Sequence, residues 1–352
     1  MNYPLPAFYD SLNVVNDARW IDYGGLLAAA GDYRRDNHVT AAARDQVRVG
    51  VLIIDAQNTF CHPSGELYVA GMSGNGAVDD SVRTVEWLYA NLGRITKIYA
   101  TLDTHRAFAV FHPTFLVDQQ GNHPAPFTMV SHDDIVTGKW LPSPLMVSAL
   151  RADAPGFDLT AARRHLEHYT AALEAAGRYQ LTIWPFHGMI GDKGHALVSG
   201  LAEAMAFHGM VRGAQPGIEV KGTHPLVENY SILGPEVTQL FDGTPVARNV
   251  SLFKKLMEFD ALVITGQAKS HCVAWTIDDL LREVAAVDPA LARKIYLLED
   301  CTTAIVVKDP AGNVVYDYGP DADAAFARFR AAGMHVVRST DPIENWPDFP
   351  RV

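Results

Sequence analysis

The sequence has little cysteine, no long apolar run and no concentration of positive charge. Its three cysteines, Cys61, Cys272 and Cys301, are far apart among 352 residues, which predicts no disulfide framework and fits a reducing compartment. No apolar run approaches the length that spans a bilayer, and the N-terminus lacks a basic start followed by an apolar core. We therefore expect a cytoplasmic protein that does not bind a membrane.

Two further absences narrow the function. The net charge is −11, and acidic and basic residues are interspersed without a long basic run, so the electrostatic footprint of a nucleic-acid-binding protein is missing. No GxGxxG motif follows the first predicted strand, where IIDAQNTF stands instead, and this argues against a dinucleotide-binding dehydrogenase. A small molecule is the expected partner.

Short apolar runs alternate with helical patterns through most of the chain, which predicts a three-layer α/β/α sandwich around a mainly parallel sheet. The predicted strands are Val47–Ile54, Lys97–Leu102, Gln180–Trp184, Gly217–Lys221, Ala261–Thr265, Lys294–Leu298 and His335–Arg338. The predicted helices are Val78–Leu92, Leu159–Ala176, Ala196–His208, Cys272–Val284 and Ala322–Ala332.

Two stretches depart from this alternation. Residues 1–46 contain no strand pattern, and we expect a helical arm that packs against the core or against another subunit of a homo-oligomer. Residues 113–158 are rich in Pro, Gly, His and Asp, and an insertion of this length in a compact domain is usually functional, so we expect a lid or wall of the ligand site. We expect a single domain over 47–340, which includes this insertion, followed by a tail, 341–352.

Cys272 is the candidate nucleophile. It lies between the apolar run that ends at Gly266 and a helical pattern that begins at Val273. Backbone N–H groups and the positive end of a helix dipole at such a turn favour a thiolate and can also hold an oxyanion. The structural alternative is that Cys272 is a small buried apolar residue, as many free cysteines are.

Asp55 and Lys221 also end predicted strands, in VGVLIIDAQNTFC and GIEVKG. Ligand sites of parallel sheets lie beyond the carboxyl ends of the strands. A cysteine nucleophile needs a base for its proton and a cation beside the thiolate, and Asp55 and Lys221 supply these two functions. The structural alternatives are a helix N-cap or a solvated turn residue for Asp55 and an exposed strand-end lysine for Lys221.

A metal site is predicted from LDTH and WPFH. Asp103 and His105 are two residues apart on extended backbone, so their side chains share one face, and His187 follows another predicted strand. Two imidazoles and a carboxylate suit zinc, with iron or manganese as alternatives, and such a metal would hold substrate or water. His112 and His62 are further candidates, and a turn residue bonded to backbone is the structural alternative for His187.

These motifs, IIDAQNTFC, TLDTH, WPFH, VKG and ITGQAKSHCV, resemble the cysteine hydrolases of the nicotinamidase and isochorismatase superfamily in order and rough spacing. The resemblance implies a catalytic triad of Asp55, Lys221 and Cys272, a cis peptide between Gln267 and Ala268, and an oxyanion hole from the N–H groups of Ala268 and Cys272. It also implies that Phe60 and Trp184 line the substrate pocket.

The chain departs from nicotinamidases at three places. Gly188 stands where they usually have a cysteine after the WPxH histidine. They usually have a further histidine soon after the DxH pair, whereas the nearest one here, His112, follows RAFAVF. The chain is also much longer than the compact family core. We expect a hydrolase that cleaves the C–N bond of a small amide through a cysteine thioester. The alternatives are an isochorismatase-like or a ureido or carbamoyl hydrolase, and a non-catalytic binding protein with the same fold.

Overall fold

The computed structural model describes residues 3–152, 154–177, 179–309 and 311–351. The chain divides into two compact units. Unit 1 comprises Met1–Leu102, Lys193–Glu219 and Val250–Val352, and unit 2 comprises Asp103–Asp192 and Val220–Asn249.

Unit 1 is built on a six-stranded sheet with the spatial order β12-β9-β8-β1-β2-β7, and the pairs β1–β2, β1–β8, β8–β9 and β9–β12 are parallel. All residues of β1, β8 and β9 are buried, as expected for parallel strands with both faces covered. The strands are β1 Val49–Ile54, β2 Ile95–Asp103, β7 Gly217–Lys221, β8 Ala261–Gly266, β9 Ile295–Leu298 and β12 His335–Val337.

The helices of unit 1 form two packed groups. In one, α7 contacts α1 and α3, and in the other, α9 contacts α10. The predicted α/β sandwich with a mainly parallel sheet is therefore confirmed. The helices are α1 Tyr23–Asp36, α2 Asn58–Cys61, α3 Gly76–Ala90, α7 Ser199–Arg212, α8 Val250–Met257, α9 Ala274–Val287 and α10 Gly319–Ala331, and a separate hairpin pairs β10 Val306–Lys308 with β11 Val314–Asp317.

Unit 2 contains two-residue strands and several helices. For this part of the chain the sequence predicted one long insertion loop and one strand of the sheet. Leu181–Thr182 pairs in antiparallel fashion with Met129–Val130, so the prediction that Gln180–Trp184 belongs to the parallel sheet is wrong. A run of two or three apolar residues carries too little periodicity to identify its partner. The elements are β3 Leu116–Val117, β4 Met129–Val130, α4 His132–Val136, β5 Leu141–Pro142, α5 Pro144–Leu150, α6 Leu159–Ala175 and β6 Leu181–Thr182.

In residues 3–46, the described part of the arm, there is a helix, α1, and no strand. Leu26, Ala30 and Tyr33 form the buried face of α1, and the Tyr33 ring packs edge-on against Phe207 of α7 with ring centroids 5.3 Å apart. One face of the arm therefore belongs to the core of unit 1. Among the described residues, no helix is long and apolar enough to cross a membrane.

A buried ion pair fixes the end of the arm. Arg212 is fully buried, and its guanidinium lies 2.6 Å from both carboxylate oxygens of Asp45, while the same side chain donates to the carbonyl oxygens of Thr40 and Ile95. A bidentate pair with further acceptors satisfies the donors of a guanidinium that has been removed from water.

Arg212→Met should lower the free energy of unfolding by about 3–5 kcal/mol, because Asp45 would keep a nearly buried charge without its partner. Denaturant titration measures this change. Arg48→Met is the matched control, since Arg48 and Glu258 are about half exposed, and there we expect a change below about 1 kcal/mol. Equal effects of the two substitutions would contradict the anchoring role of Arg212.

Candidate active site and metal centre

Parallel pairing of β1 with β8 brings Asp55 and Cys272 together in unit 1. Ile54 is the register partner of Gly266, and the Gln267 N–H donates to the Ile54 carbonyl at 2.7 Å. A carboxylate oxygen of Asp55 and the Sγ atom of Cys272 lie within 4.8 Å of each other. Two residues that are more than 200 positions apart in the chain thus place a carboxylate close to a thiol.

Asp55 is held in one orientation. The side chain is fully buried, its backbone N–H donates to Thr101 Oγ1 at 2.9 Å, and the Thr101 hydroxyl donates to Oδ1. Asp55 has a φ of 44°, a left-handed conformation that non-glycine residues rarely adopt and that is common at functional sites. The next helix, α2, has Gln57 as its N-cap, so the N-cap alternative for Asp55 is wrong.

Cys272 lies in a π-helical turn, Lys269–Val273, that leads directly into α9. Such turns are rare and frequently occur at functional sites. The peptide between Gln267 and Ala268 is cis, as the resemblance implied. The Gln267 side-chain amide donates to the buried Asp80 carboxylate at 2.8 Å, which ties the start of this turn to α3.

The other two cysteines are poor candidates for the nucleophile. Burial raises the pKa of the Cys61 thiol to about 12, and burial together with Asp300 raises the pKa of the Cys301 thiol to about 12. Almost no thiolate would exist at either position at neutral pH, and the thiolate is the reactive form. Of the three cysteines, Cys272 therefore remains the candidate nucleophile.

In unit 2, the predicted metal ligands Asp103, His105 and His187 lie together in a cluster that could hold a metal ion. One potential ligand atom of each lies within 4.8 Å of the others, and all three side chains are buried. Asp103 Oδ2 is 3.0 Å from His105 Nε2 and 3.6 Å from His187 Nε2.

Backbone carbonyls orient both imidazoles. His105 Nδ1 lies 3.1 Å from the Gly222 oxygen and His187 Nδ1 lies 2.7 Å from the Pro185 oxygen. A carbonyl oxygen only accepts, so each Nδ1 carries a proton and each Nε2 atom faces Asp103 Oδ2. Burial lowers the pKa of His187. Two imidazole nitrogens and a carboxylate that converge in a buried cluster are a donor set that fits a bound cation.

Lys221 is buried and is the charge partner of Asp103. Its Nζ atom lies 2.8 Å from Asp103 Oδ1 and donates to the Asn229 carbonyl at 2.8 Å. The exposed-lysine alternative is therefore wrong, because only 4% of Lys221 is accessible. Burial by itself raises the pKa of Asp103, but the charges of His105 and Lys221 outweigh it and hold that pKa well below its usual range.

Two glycines let backbone approach this cluster. A Cβ atom on Gly222, whose φ is 76°, would lie 2.5 Å from His105 Cε1, and one on Gly188, whose φ is 55°, would lie 2.6 Å from the Asp103 carbonyl oxygen. Both positions favour glycine for conformational and steric reasons. The absence of a cysteine at position 188 therefore accords with the backbone of this chain.

His112, a further metal candidate in the sequence, belongs to the same histidine cluster. Its ring centroid is 5.7 Å from that of His105 and 5.8 Å from that of His187, and its Nδ1 bonds the Arg106 oxygen at 3.1 Å. Among the described residues, none is a hydrogen-bond partner for the buried Nε2 atom. Burial and the neighbouring His187 and His105 lower the pKa of His112 to about 3, so the ring is neutral.

The other candidate, His62, lies in unit 1, where its Nδ1 accepts from the Ser64 N–H.

The predicted substrate-lining residues are both buried: Phe60 lies on α2 of unit 1 and Trp184 in unit 2. Trp184 Nε1 donates to Glu228 Oε1 at 2.9 Å and is 3.2 Å from the Tyr230 hydroxyl. Burial, and then the charge of Glu236, raises the pKa of Glu228 well above its usual range. Sequence reasoning missed Glu228, because nothing in VENYSILGPEV marks a glutamate as buried.

Comparison with known proteins gave matches among solved structures alone: no family model matches the chain, and no curated protein does. A nicotinamidase and pyrazinamidase of Acinetobacter baumannii shares 18% identity with a TM-score of 0.48, covering 85% of this chain and 99% of its own. The yeast nicotinamidase, bound to the inhibitor nicotinaldehyde, shares 16% at a TM-score of 0.48, covering 82% and 99%. The N-carbamoylsarcosine amidase of Thermoplasma acidophilum shares 15% at 0.39, covering 84% and 99%. At these values the likeness assigns neither activity nor substrate to this chain.

If Asp103, His105 and His187 bind a metal, purified protein should contain about one divalent transition metal per chain. We expect zinc, with iron or manganese as alternatives, and elemental analysis measures both amount and identity. His187→Ala should lose the metal, whereas the matched control His123→Ala should retain it, because His123 bonds the Leu116 oxygen outside the cluster.

His112→Ala provides a finer test of the same site. If the buried His112 Nε2 atom contributes a ligand, this variant should lose its metal to a chelator faster than the unchanged protein does. Full activity of a protein shown to be metal-free would contradict the metal site and would leave Asp103 and His105 as structural residues.

Proposed function

We propose that the chain is a cysteine amidohydrolase of the nicotinamidase type, which hydrolyses the C–N bond of a small amide through a thioester. The observation that carries the proposal is the buried pair of Asp55 and Cys272 in unit 1, whose oxygen and sulfur atoms lie within 4.8 Å. A carboxylate beside a thiol at the start of a helix is the arrangement that nucleophilic cysteine catalysis requires.

In this mechanism Asp55 accepts the proton of Cys272, and the thiolate attacks the amide carbonyl. The N–H groups of Ala268 and Cys272 hold the oxyanion of the tetrahedral intermediate. Collapse of the intermediate breaks the C–N bond, and Asp55 returns the proton to the leaving ammonia. A water molecule, deprotonated by Asp55, then hydrolyses the thioester and releases the acid and the free thiol.

Three further groups complete the proposal. Lys221 is the third member of the proposed triad, and its positive charge would favour the ionised forms of the other two. Phe60 and Trp184 would bind an aromatic or planar substrate by their rings. A metal held by Asp103, His105 and His187 would supply a Lewis acid for a polar group of the substrate. Small-molecule amides are the proposed substrates.

Ammonia release tests the proposal on a panel of nicotinamide, pyrazinamide, small aliphatic amides and ureido acids. We expect turnover of at least one amide, and Cys272→Ala should abolish it with the melting temperature unchanged. Cys301→Ala is the control, because burial keeps that thiol protonated. Turnover of ureido acids alone would support the carbamoyl alternative, and retention of activity in Cys272→Ala would contradict the assignment.

The role of Lys221 has a separate readout. Lys221→Met should raise the pH midpoint of Cys272 alkylation by iodoacetamide by about one unit or more, because a nearby cation favours the thiolate over the thiol. Lys193→Met is the control, since Lys193 is exposed and pairs with Asp17. An unchanged alkylation profile in Lys221→Met would remove Lys221 from the triad, and the buried Cys61 and Cys301 should stay unmodified throughout.

A further inference from the structure

The outer flank of α1 is apolar and exposed. Tyr23, Leu27, Gly31 and Arg34 follow one another at spacings of four, four and three residues, which places them along one side of a helix. Tyr23 is 56% exposed and Leu27 is 62% exposed, and Trp20, just before the helix, is 95% exposed. The adjacent face of α1, with Leu26, Ala30 and Tyr33, is buried in unit 1, so the helix has one packed face and, beside it, one unpacked apolar flank.

Large exposed aromatic side chains close to an exposed leucine are unusual on a monomer surface. Tryptophan and tyrosine are enriched where proteins associate, and contiguous exposed apolar surface marks an interface more often than chance. Trp20 makes no ring contact and no cation–π contact with any described residue, and Arg34 forms no ion pair within the described ranges. An indole ring and a guanidinium are the two partners of a cation–π contact.

We propose that this flank of α1 docks against the same flank of a second copy of the chain, antiparallel about Leu27. In that register Leu27 packs against Leu27 at the two-fold axis, and Tyr23 of one copy covers Gly31 of the other. Trp20 precedes the first residue of α1, at the end of the flank that meets the Arg34 end of the other copy. The contact is self-complementary, as a two-fold interface requires.

Charge complementarity selects a second copy of the chain as the occupant. The guanidinium of Arg34 is a cation and the indole face of Trp20 carries negative potential, so the two attract when stacked. Antiparallel docking also sets the negative C-terminal half of one helix dipole beside the positive N-terminal half of the other. Because Gly31 has no side chain, the Tyr23 ring can approach the helix closely. The inference is independent of the proposed enzymatic function.

The mass of the full chain in solution tests the proposal. Light scattering and sedimentation at micromolar concentrations should give twice the chain mass of 38.5 kDa. Leu27→Asp should raise the dimer dissociation constant by about 100-fold or more, because it sets two carboxylates against each other at the axis. Leu12→Asp is the matched control, since Leu12 is an arm residue that is 85% exposed and lies outside α1, and it should leave the dimer intact.

A double-mutant cycle tests the register. Trp20→Ala and Arg34→Ala should each weaken the dimer by about 5- to 30-fold, because one cation–π contact is lost at each of two symmetric positions. The double variant should be no weaker than either single variant. In addition, Leu27→Cys should form a disulfide-linked dimer on oxidation, whereas Asp32→Cys, on another side of α1, should not.

Several outcomes would overturn the proposal. A chain that remains monomeric at high micromolar concentration has no such interface. A dimer that survives Leu27→Asp is formed by another surface, and additive effects of Trp20→Ala and Arg34→Ala reject the antiparallel register. Unchanged melting temperatures and circular dichroism of the variants show that the loss of the dimer is not a loss of folding.

Discussion

The burial of β1 between β2 and β8 is the constraint on which the rest of unit 1 depends. Every residue of β1 is inaccessible to solvent, and both neighbours run parallel to it. Parallel pairing sets the carboxyl ends of the three strands at one edge of the sheet. That edge carries Asp55, the Thr101 hydroxyl that orients it and the turn that contains Cys272. The register of the β1–β2 and β1–β8 pairs therefore determines whether Asp55 and Cys272, the residues of the proposed chemistry, lie close together.

Unit 2 contains a group of buried charges that would be unfavourable without compensation. An ionised Asp103 is removed from water, and it remains ionised because Lys221 and His105 lie within 3.0 Å of its oxygens. The backbone provides the other half of this arrangement, since the carbonyls of Gly222, Pro185 and Asn229 hold the two imidazoles and the lysine in place. Such outer contacts determine which nitrogen of each ring is available to a metal.

The surroundings of the Trp184 indole include a buried acid, Glu228. Glu228 accepts the indole N–H, and burial together with Glu236 raises its pKa. The N–H of Glu228 donates to the Tyr169 hydroxyl, and His165 Nε2 donates to the Leu226 carbonyl. Helix α6 thereby holds the loop that supplies the acceptor for Lys221. Contacts between α6 and this loop thus help to position Lys221, a member of the proposed triad.

The sequence alone determined the sheet strands, most helices of unit 1 and the identity of the Asp103, His105 and His187 cluster, because long alternating patterns and short polar motifs at strand ends are local signals. It also indicated Cys272 over the other thiols. Only the tertiary structure decided that Lys221 is buried against Asp103, that His112 presents an Nε2 atom without a partner among the described residues, and that burial raises the pKa of Glu228. These properties arise from desolvation and from neighbours distant in the chain, and no local pattern of residues encodes either.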